Sequence, residues 1–180
     1  KRFNLDPKKD LFYFRTLHSL ALTCSDIRPE QVMQDENYRE LSQKIGVGLN
    51  VQRVNNFDED IPEATKTSDP ILGLINLARM RKVPLRQQYN ETPIETEWNI
   101  VTYVDQCLTS YKENMEMYDF TDMLESFPQE GHITCPNFDL CFVDEAQDLS
   151  PLQWDIAHLL DERSKRMYCA GDDDQAIYRW

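Results

Sequence analysis

Hydrophobic and polar positions follow two different rhythms along the chain. Over roughly the first two thirds, apolar residues return every three or four positions, the spacing of one buried helix face. Val32, Tyr38, Leu41 and Ile45 form a thin stripe in a polar stretch closed by Gly46 and Gly48, which predicts one or two surface helices between Pro29 and Gly46. Ile71, Leu74, Ile75 and Ala78 follow Asp69-Pro70, a helix start with proline in the first turn, and that helix is expected to end before Pro84. Thr92-Pro93-Ile94-Glu95 has the form of a capping box, and Trp98, Val101, Val104, Leu108 and Tyr111 continue from it, which predicts a long helix over 92–114. A short helix is expected from Tyr118 to Phe127, broken by Pro128. Leu11 to Arg15 reads as a short aromatic strand, with Thr16 as the N-cap of a helix from Leu17 to Leu22. The acidic stretch from Asn50 to Asp69 reads as a loop.

From Phe138 onward the rhythm changes. Leu140-Cys141-Phe142-Val143 is an uninterrupted apolar run, too short for a helix and suited to a strand buried on both faces. Met167-Tyr168-Cys169-Ala170 is a second such run. Between them, Ser150-Pro151-Leu152-Gln153 forms a capping box that opens a helix carrying Leu152, Ile156, Leu159 and Leu160. Strand, helix and strand over this length imply a right-handed parallel crossover, hence an α/β core.

Composition narrows the class. The 180 residues suffice for one domain, or one domain with an inserted lobe, and 41% hydrophobic with 28% charged residues excludes wholesale disorder. No apolar run approaches the roughly 20 residues of a membrane span, and the start lacks a signal-peptide core, so a cytosolic protein is expected. Cys24, Cys107, Cys135, Cys141 and Cys169 are scattered, which fits reduced thiols better than a zinc or disulfide framework. A formal charge of −13 argues against gripping nucleic acid over the whole surface but leaves a local grip open, with basic residues gathered in 1–9 and at Arg79, Arg81, Lys82 and Arg86. The chain opens without methionine and stops at Trp180 directly after a patterned segment, so it is expected to be a piece of a longer protein.

Chemistry is concentrated where the two apolar runs end. Asp144-Glu145 follows the first and Asp172-Asp173-Asp174-Gln175 the second. In parallel α/β sheets the ligand crevice lies at the carboxyl ends of the strands, so both acidic groups should share one edge. Carboxylates gathered there repel one another unless a cation joins them, and Mg2+, with its preference for a few carboxylates plus phosphate oxygens, is the natural candidate. An apolar strand followed by Asp-Glu is the Walker B arrangement of phosphoryl-transfer machines. Taken alone, the pair fits acids capping the next helix equally well.

The pair does not stand alone. Val143-Asp144-Glu145-Ala146-Gln147-Asp148 with Gln153, followed by Gly171-Asp172-Asp173-Asp174-Gln175-Ala176-Ile177-Tyr178-Arg179-Trp180, resembles the second and third helicase motifs of the UvrD/Rep-like superfamily 1 DNA helicases. Thr16-Leu17-His18-Ser19-Leu20 is similar to that family's Thr-Phe-His-Ser element, and Tyr118-Asp119-Phe120-Thr121-Asp122-Met123-Leu124 to its Asp-Phe-x-Asp-Leu-Leu element. The resemblance implies a partial RecA-like P-loop NTPase sheet with an inserted, mainly helical subdomain. Residues 1–22 and 118–180 would belong to the core and 23–117 to the insertion. Asp144 would hold Mg2+, Glu145 would activate water and Gln175 would sense the γ-phosphate of ATP. Thr16 and His18 would lie along single-stranded DNA, while Tyr178 and Trp180 would contact its bases. By residue type alone, Tyr178 and Trp180 favour core packing over DNA contact, and His18 also fits a hydrogen-bonded structural role.

The phosphate-binding signature Gly-x-x-x-x-Gly-Lys-Ser/Thr is absent from these 180 residues, so the chain by itself is not expected to hydrolyse ATP. The implied parent is an ATP-dependent DNA helicase moving 3′ to 5′ on single strands and unwinding duplex junctions. The competing expectation is a helicase-derived module that holds single-stranded DNA without turnover.

Overall fold

The computed structural model describes residues 12–50, 69–131, 134–172 and 174. Local capping chemistry sets most of the helix starts. Helix α1 (Leu17–Cys24) begins at Thr16, whose hydroxyl accepts from the Ser19 N–H at 3.3 Å. Helix α2 (Asp35–Ile45) ends where Gly46 turns left-handed at φ 68°, a conformation open to a residue without Cβ. Helix α3 (Pro70–Met80) starts at Asp69, whose Oδ1 accepts from the N–H groups of Ile71 and Leu72, each at 3.0 Å. These starts agree with the sequence. The strand expected over Leu11 to Arg15 does not form in its described part: Phe12 and Tyr13 lie in a turn, closed by Arg15 Nε donating to the Phe12 carbonyl at 2.6 Å. Of the expected loop between Asn50 and Asp69, residues 51–68 lie outside the described residues.

The helix expected over 92–114 is shorter and is preceded by another. Helix α4 (Leu85–Glu91) follows Pro84, and helix α5 (Trp98–Met115) begins only after Glu97. Thr92 closes α4 instead of opening α5. Its N–H donates to the Gln88 carbonyl at 3.0 Å and its hydroxyl accepts from Gln88 Nε2 at 2.8 Å. Helix α6 (Phe120–Ser126) is capped by Asp119, and Pro128 does not stop the chain turning, because a wider π-helical turn continues over Phe127–Gly131.

The α/β crossover is present. Strands β1 (Cys141–Val143) and β2 (Met167–Cys169) run parallel in the register Cys141↔Met167, Phe142↔Tyr168 and Val143↔Cys169, joined through helix α7 (Pro151–Glu162). The expectation of burial on both faces fails for β1. Val143 is packed, but Phe142 is 72% exposed, and its ring stacks on half-exposed Tyr168 with centroids 5.3 Å apart. Cys141 and Met167 pack toward the core, whereas the Phe142 and Tyr168 side meets solvent.

Among the described residues the core is divided in two. One cluster gathers Leu20, Ala21 and Cys24 of α1, Met123 and Leu124 of α6, Phe127, and Leu152, Ile156 and Leu160 of α7. The other gathers Leu41 of α2, Ile71, Leu74 and Ile75 of α3, and Val101, Val104, Leu108 and Tyr111 of α5. A charged seam links them. Arg79 of α3 donates to Asp119 at 2.8 Å, Asp122 at 2.5 Å and Glu125 at 2.7 Å, and Lys112 of α5 reaches Asp119 at 2.7 Å and Asp122 at 2.8 Å. Among the described residues no helix is long and apolar enough to cross a membrane.

Candidate functional site

The end of β1 is shaped by backbone geometry before side chains matter. Glu145 adopts φ 51° and ψ 40°, a left-handed conformation that costs a non-glycine residue on the order of 1 kcal/mol. It reverses the chain after β1 into a 3₁₀ turn over Ala146–Asp148, closed by the Asp148 N–H donating to the Glu145 carbonyl at 3.0 Å. The ladder runs on past the strands. Ala170 N–H donates to the Val143 carbonyl at 2.7 Å, and Ala146 N–H donates to the Ala170 carbonyl at 2.9 Å. The parallel pairing therefore carries both strand ends to one edge, as the sequence implied.

At that edge Asp144 and Glu145 are both exposed. The Asp144 Oδ1 accepts from the Glu145 N–H at 3.1 Å. The Glu145 carboxylate is held by Gln147, whose Nε2 donates to Oε2 at 2.7 Å. The other end of the same amide faces the second strand end, where Gln147 Oε1 accepts from the Asp172 N–H at 3.1 Å. Asp172 Oδ1 in turn accepts from the Asp174 N–H at 3.0 Å. Gly171 makes room for the arrangement: a Cβ there would stand 2.5 Å from Gln147 Oε1 and 3.2 Å and 3.3 Å from the backbone nitrogens of Gln147 and Ala146.

Among the described residues no three His, Cys, Asp or Glu side chains gather as a metal cage. Mg2+ does not require one, because it takes one or two carboxylates and fills its other positions with water and phosphate oxygens. The exposed Asp144 carboxylate at the tip of β1 fits that use.

The sequence profile of the UvrD/REP helicase N-terminal domain matches residues 7–180. The chain belongs to this family. Among curated proteins, ATP-dependent DNA helicase PcrA of Leuconostoc citreum is 26% identical over 184 residues, covering 97% of this chain and 24% of that protein. PcrA of Bacillus subtilis (strain 168) is 25% identical over 196 residues, covering 98% and 24%. The putative ATP-dependent DNA helicase YjcD of Bacillus subtilis (strain 168) is 30% identical over 132 residues, covering 68% and 17%. The chain thus spans a quarter or less of the length of these relatives. No solved structure gives a significant match.

As a UvrD/REP N-terminal domain, the chain distributes its motifs over distinct elements. Thr16 is exposed at the start of α1, where its hydroxyl serves as the cap. His18 is half-buried on α1, edge-on to Phe120 of α6 with centroids 6.2 Å apart. Asp119 and Asp122, which the sequence offered only as a family element, form the acidic side of the seam with Arg79 and Lys112. Gln175, Tyr178 and Trp180 lie outside the described residues. The role of Gln147 was not evident from the sequence. The available signal was Gly171 after the second apolar run, a small residue where the two strand ends must approach closely.

Proposed function

We propose that the chain is the nucleotide-responsive part of an ATP-dependent DNA helicase that couples ATP hydrolysis to 3′–5′ movement on single-stranded DNA and opens duplex junctions. The observation that carries this reading is the meeting of Asp144, Glu145 and the Asp172 segment at one edge of two parallel strands, where α/β sheets bind ligands. Membership of the UvrD/REP family and the helicase names of the PcrA relatives support it.

In this reading Asp144 holds Mg2+, which when bound neutralises charge on the ATP phosphates. Glu145, exposed and oriented by Gln147, aligns the attacking water and takes its proton. Gln175 reaches toward the γ-phosphate, Thr16 and His18 line the DNA path, and Tyr178 and Trp180 stack on bases; these roles rest on the family resemblance. The division into core residues 1–22 and 118–180 around a helical lobe, 23–117, rests on the family resemblance; the two hydrophobic clusters follow it only in part, because Cys24, Val32 and Met80 of 23–117 pack in the first.

The test is Glu145→Gln in the full-length protein. The change keeps the shape and removes the base, so nucleotide binding is retained while hydrolysis falls by about 10²–10⁴-fold. Turnover near the parental rate, measured by phosphate release with saturating single-stranded DNA, would contradict the assignment of Glu145.

A further inference from the structure

We propose that Gln147 is a positioning residue, a two-ended amide that aims the Glu145 carboxylate and fastens it to the segment after β2, so that the two strand ends respond as one unit. The proposal rests on the reading of Glu145 as the water-activating carboxylate, and it concerns how that carboxylate is held.

The geometry assigns the two ends of the amide without ambiguity. Its nitrogen has a carboxylate oxygen at 2.7 Å, which only a donor satisfies, and its oxygen has the Asp172 N–H at 3.1 Å, which only an acceptor satisfies. Turning the amide over would break both bonds at once, setting oxygen against carboxylate and NH2 against N–H. Gln147 reaches this position because the left-handed backbone at Glu145 and the turn after it fold the chain back, while the Ala146 to Ala170 ladder bond fixes the turn against β2. Gly171 completes the fit, since any side chain there meets the Gln147 amide oxygen first.

An exposed carboxylate on a flexible stem samples several rotamers, and only those facing the water assist its attack. A charge-assisted bond from a half-buried amide narrows that set. Because the same amide accepts from Asp172, displacement of the segment after β2 pulls on Glu145, and reorientation of Glu145 pulls on that segment. The protein thereby carries a mechanical link between its water-activating carboxylate and its second strand end, with both halves accessible to substitution.

Three variants of the full-length protein separate the two ends. Gln147→Ala removes both bonds; kcat for ATP falls about ten- to hundred-fold with KM little changed, and deuterium uptake at the peptide containing the Asp172 amide accelerates several-fold without nucleotide. Gln147→Glu keeps an acceptor for Asp172 but sets a second carboxylate beside Glu145, so amide protection is retained while kcat drops. Gly171→Ala crowds the Gln147 oxygen, and its effect on kcat adds little to that of Gln147→Ala in the double variant, because both act through the same amide.

Parental kcat in Gln147→Ala, while Glu145→Gln is inactive, overturns the link and leaves the assignment of Glu145 standing. Unchanged exchange at Asp172 in Gln147→Ala overturns it equally. Full turnover in Glu145→Gln refutes the assignment of Glu145, and with it the aiming role of Gln147. Equal loss of amide protection in Gln147→Ala and Gln147→Glu, tracking a common fall in melting temperature, reduces Gln147 to a structural residue and also overturns the proposal.

Discussion

Asp119 shows how strongly a buried carboxylate depends on its neighbours. It is 3% exposed, and burial alone pushes its carboxyl upward, but Arg79 and Lys112 on either side pull it down to about 2. It also caps α6 by accepting from the Asp122 N–H at 2.8 Å. Asp122 moves the other way, raised by burial and by the Asp119 charge. A folded-state value below the unfolded one means that Asp119 contributes stability above about pH 4 and loses it as pH falls through about 2, an effect on the order of 2 kcal/mol. Asp119→Asn keeps a capping oxygen and removes this titration. The variant is therefore expected to melt below the parent at neutral pH, with the gap closing between about pH 4 and 2. Thermal melts across that range check it; a gap independent of pH contradicts an electrostatic origin in the Arg79 and Lys112 pairing.

Helix starts were legible wherever one side chain at the boundary met its own backbone. Thr16, Asp69 and Ser150 do so, and the helices behind them start where the sequence placed them. Ser150 is fully buried, its hydroxyl accepting from the Gln153 N–H at 3.3 Å while Gln153 Oε1 accepts from the Ser150 N–H at 2.9 Å. Because this box opens α7 directly after the Glu145 turn, Ser150→Ala should destabilise the fold by about 1–2 kcal/mol. Urea unfolding monitored by circular dichroism measures it, and a loss below about 0.5 kcal/mol contradicts the role of the cap. Thr92 misled because the same residue type closes a helix when the preceding turn offers a partner, and Gln88 does so. Helix α4 was missed because it is short and its boundary is made by that choice of partner. The acidic edge was legible because parallel pairing follows from the strand–helix–strand pattern. Gln147 was not, since its bond to the Asp172 N–H spans 25 residues and depends on the left-handed backbone at Glu145.

At the scale of the whole molecule, the described residues form two apolar clusters joined by a charged seam, with the candidate site at the sheet edge beside the first. Among the described residues, one face of the short sheet is left uncovered. Phe142, Tyr168 and Leu140 turn apolar surface outward on a chain whose formal charge is −13. As a colloid, such a molecule is kept apart by its own repulsion and drawn together by a sticky spot, and electrolyte sets the balance. Repulsion reaches about 30 Å at 0.01 M salt and only about 3 Å at 1 M, while attraction between the aromatic faces does not weaken with added ions. The 180-residue chain is therefore expected to sediment as a monomer at low ionic strength and to self-associate as salt rises, the reverse of an assembly held by ion pairs. Phe142→Ser with Tyr168→Ser should abolish the salt response in sedimentation velocity. If it persists in that double variant, the attraction lies elsewhere on the surface; if it does not, the uncovered sheet face makes added salt a precipitant for this protein, so purification calls for dilute buffer.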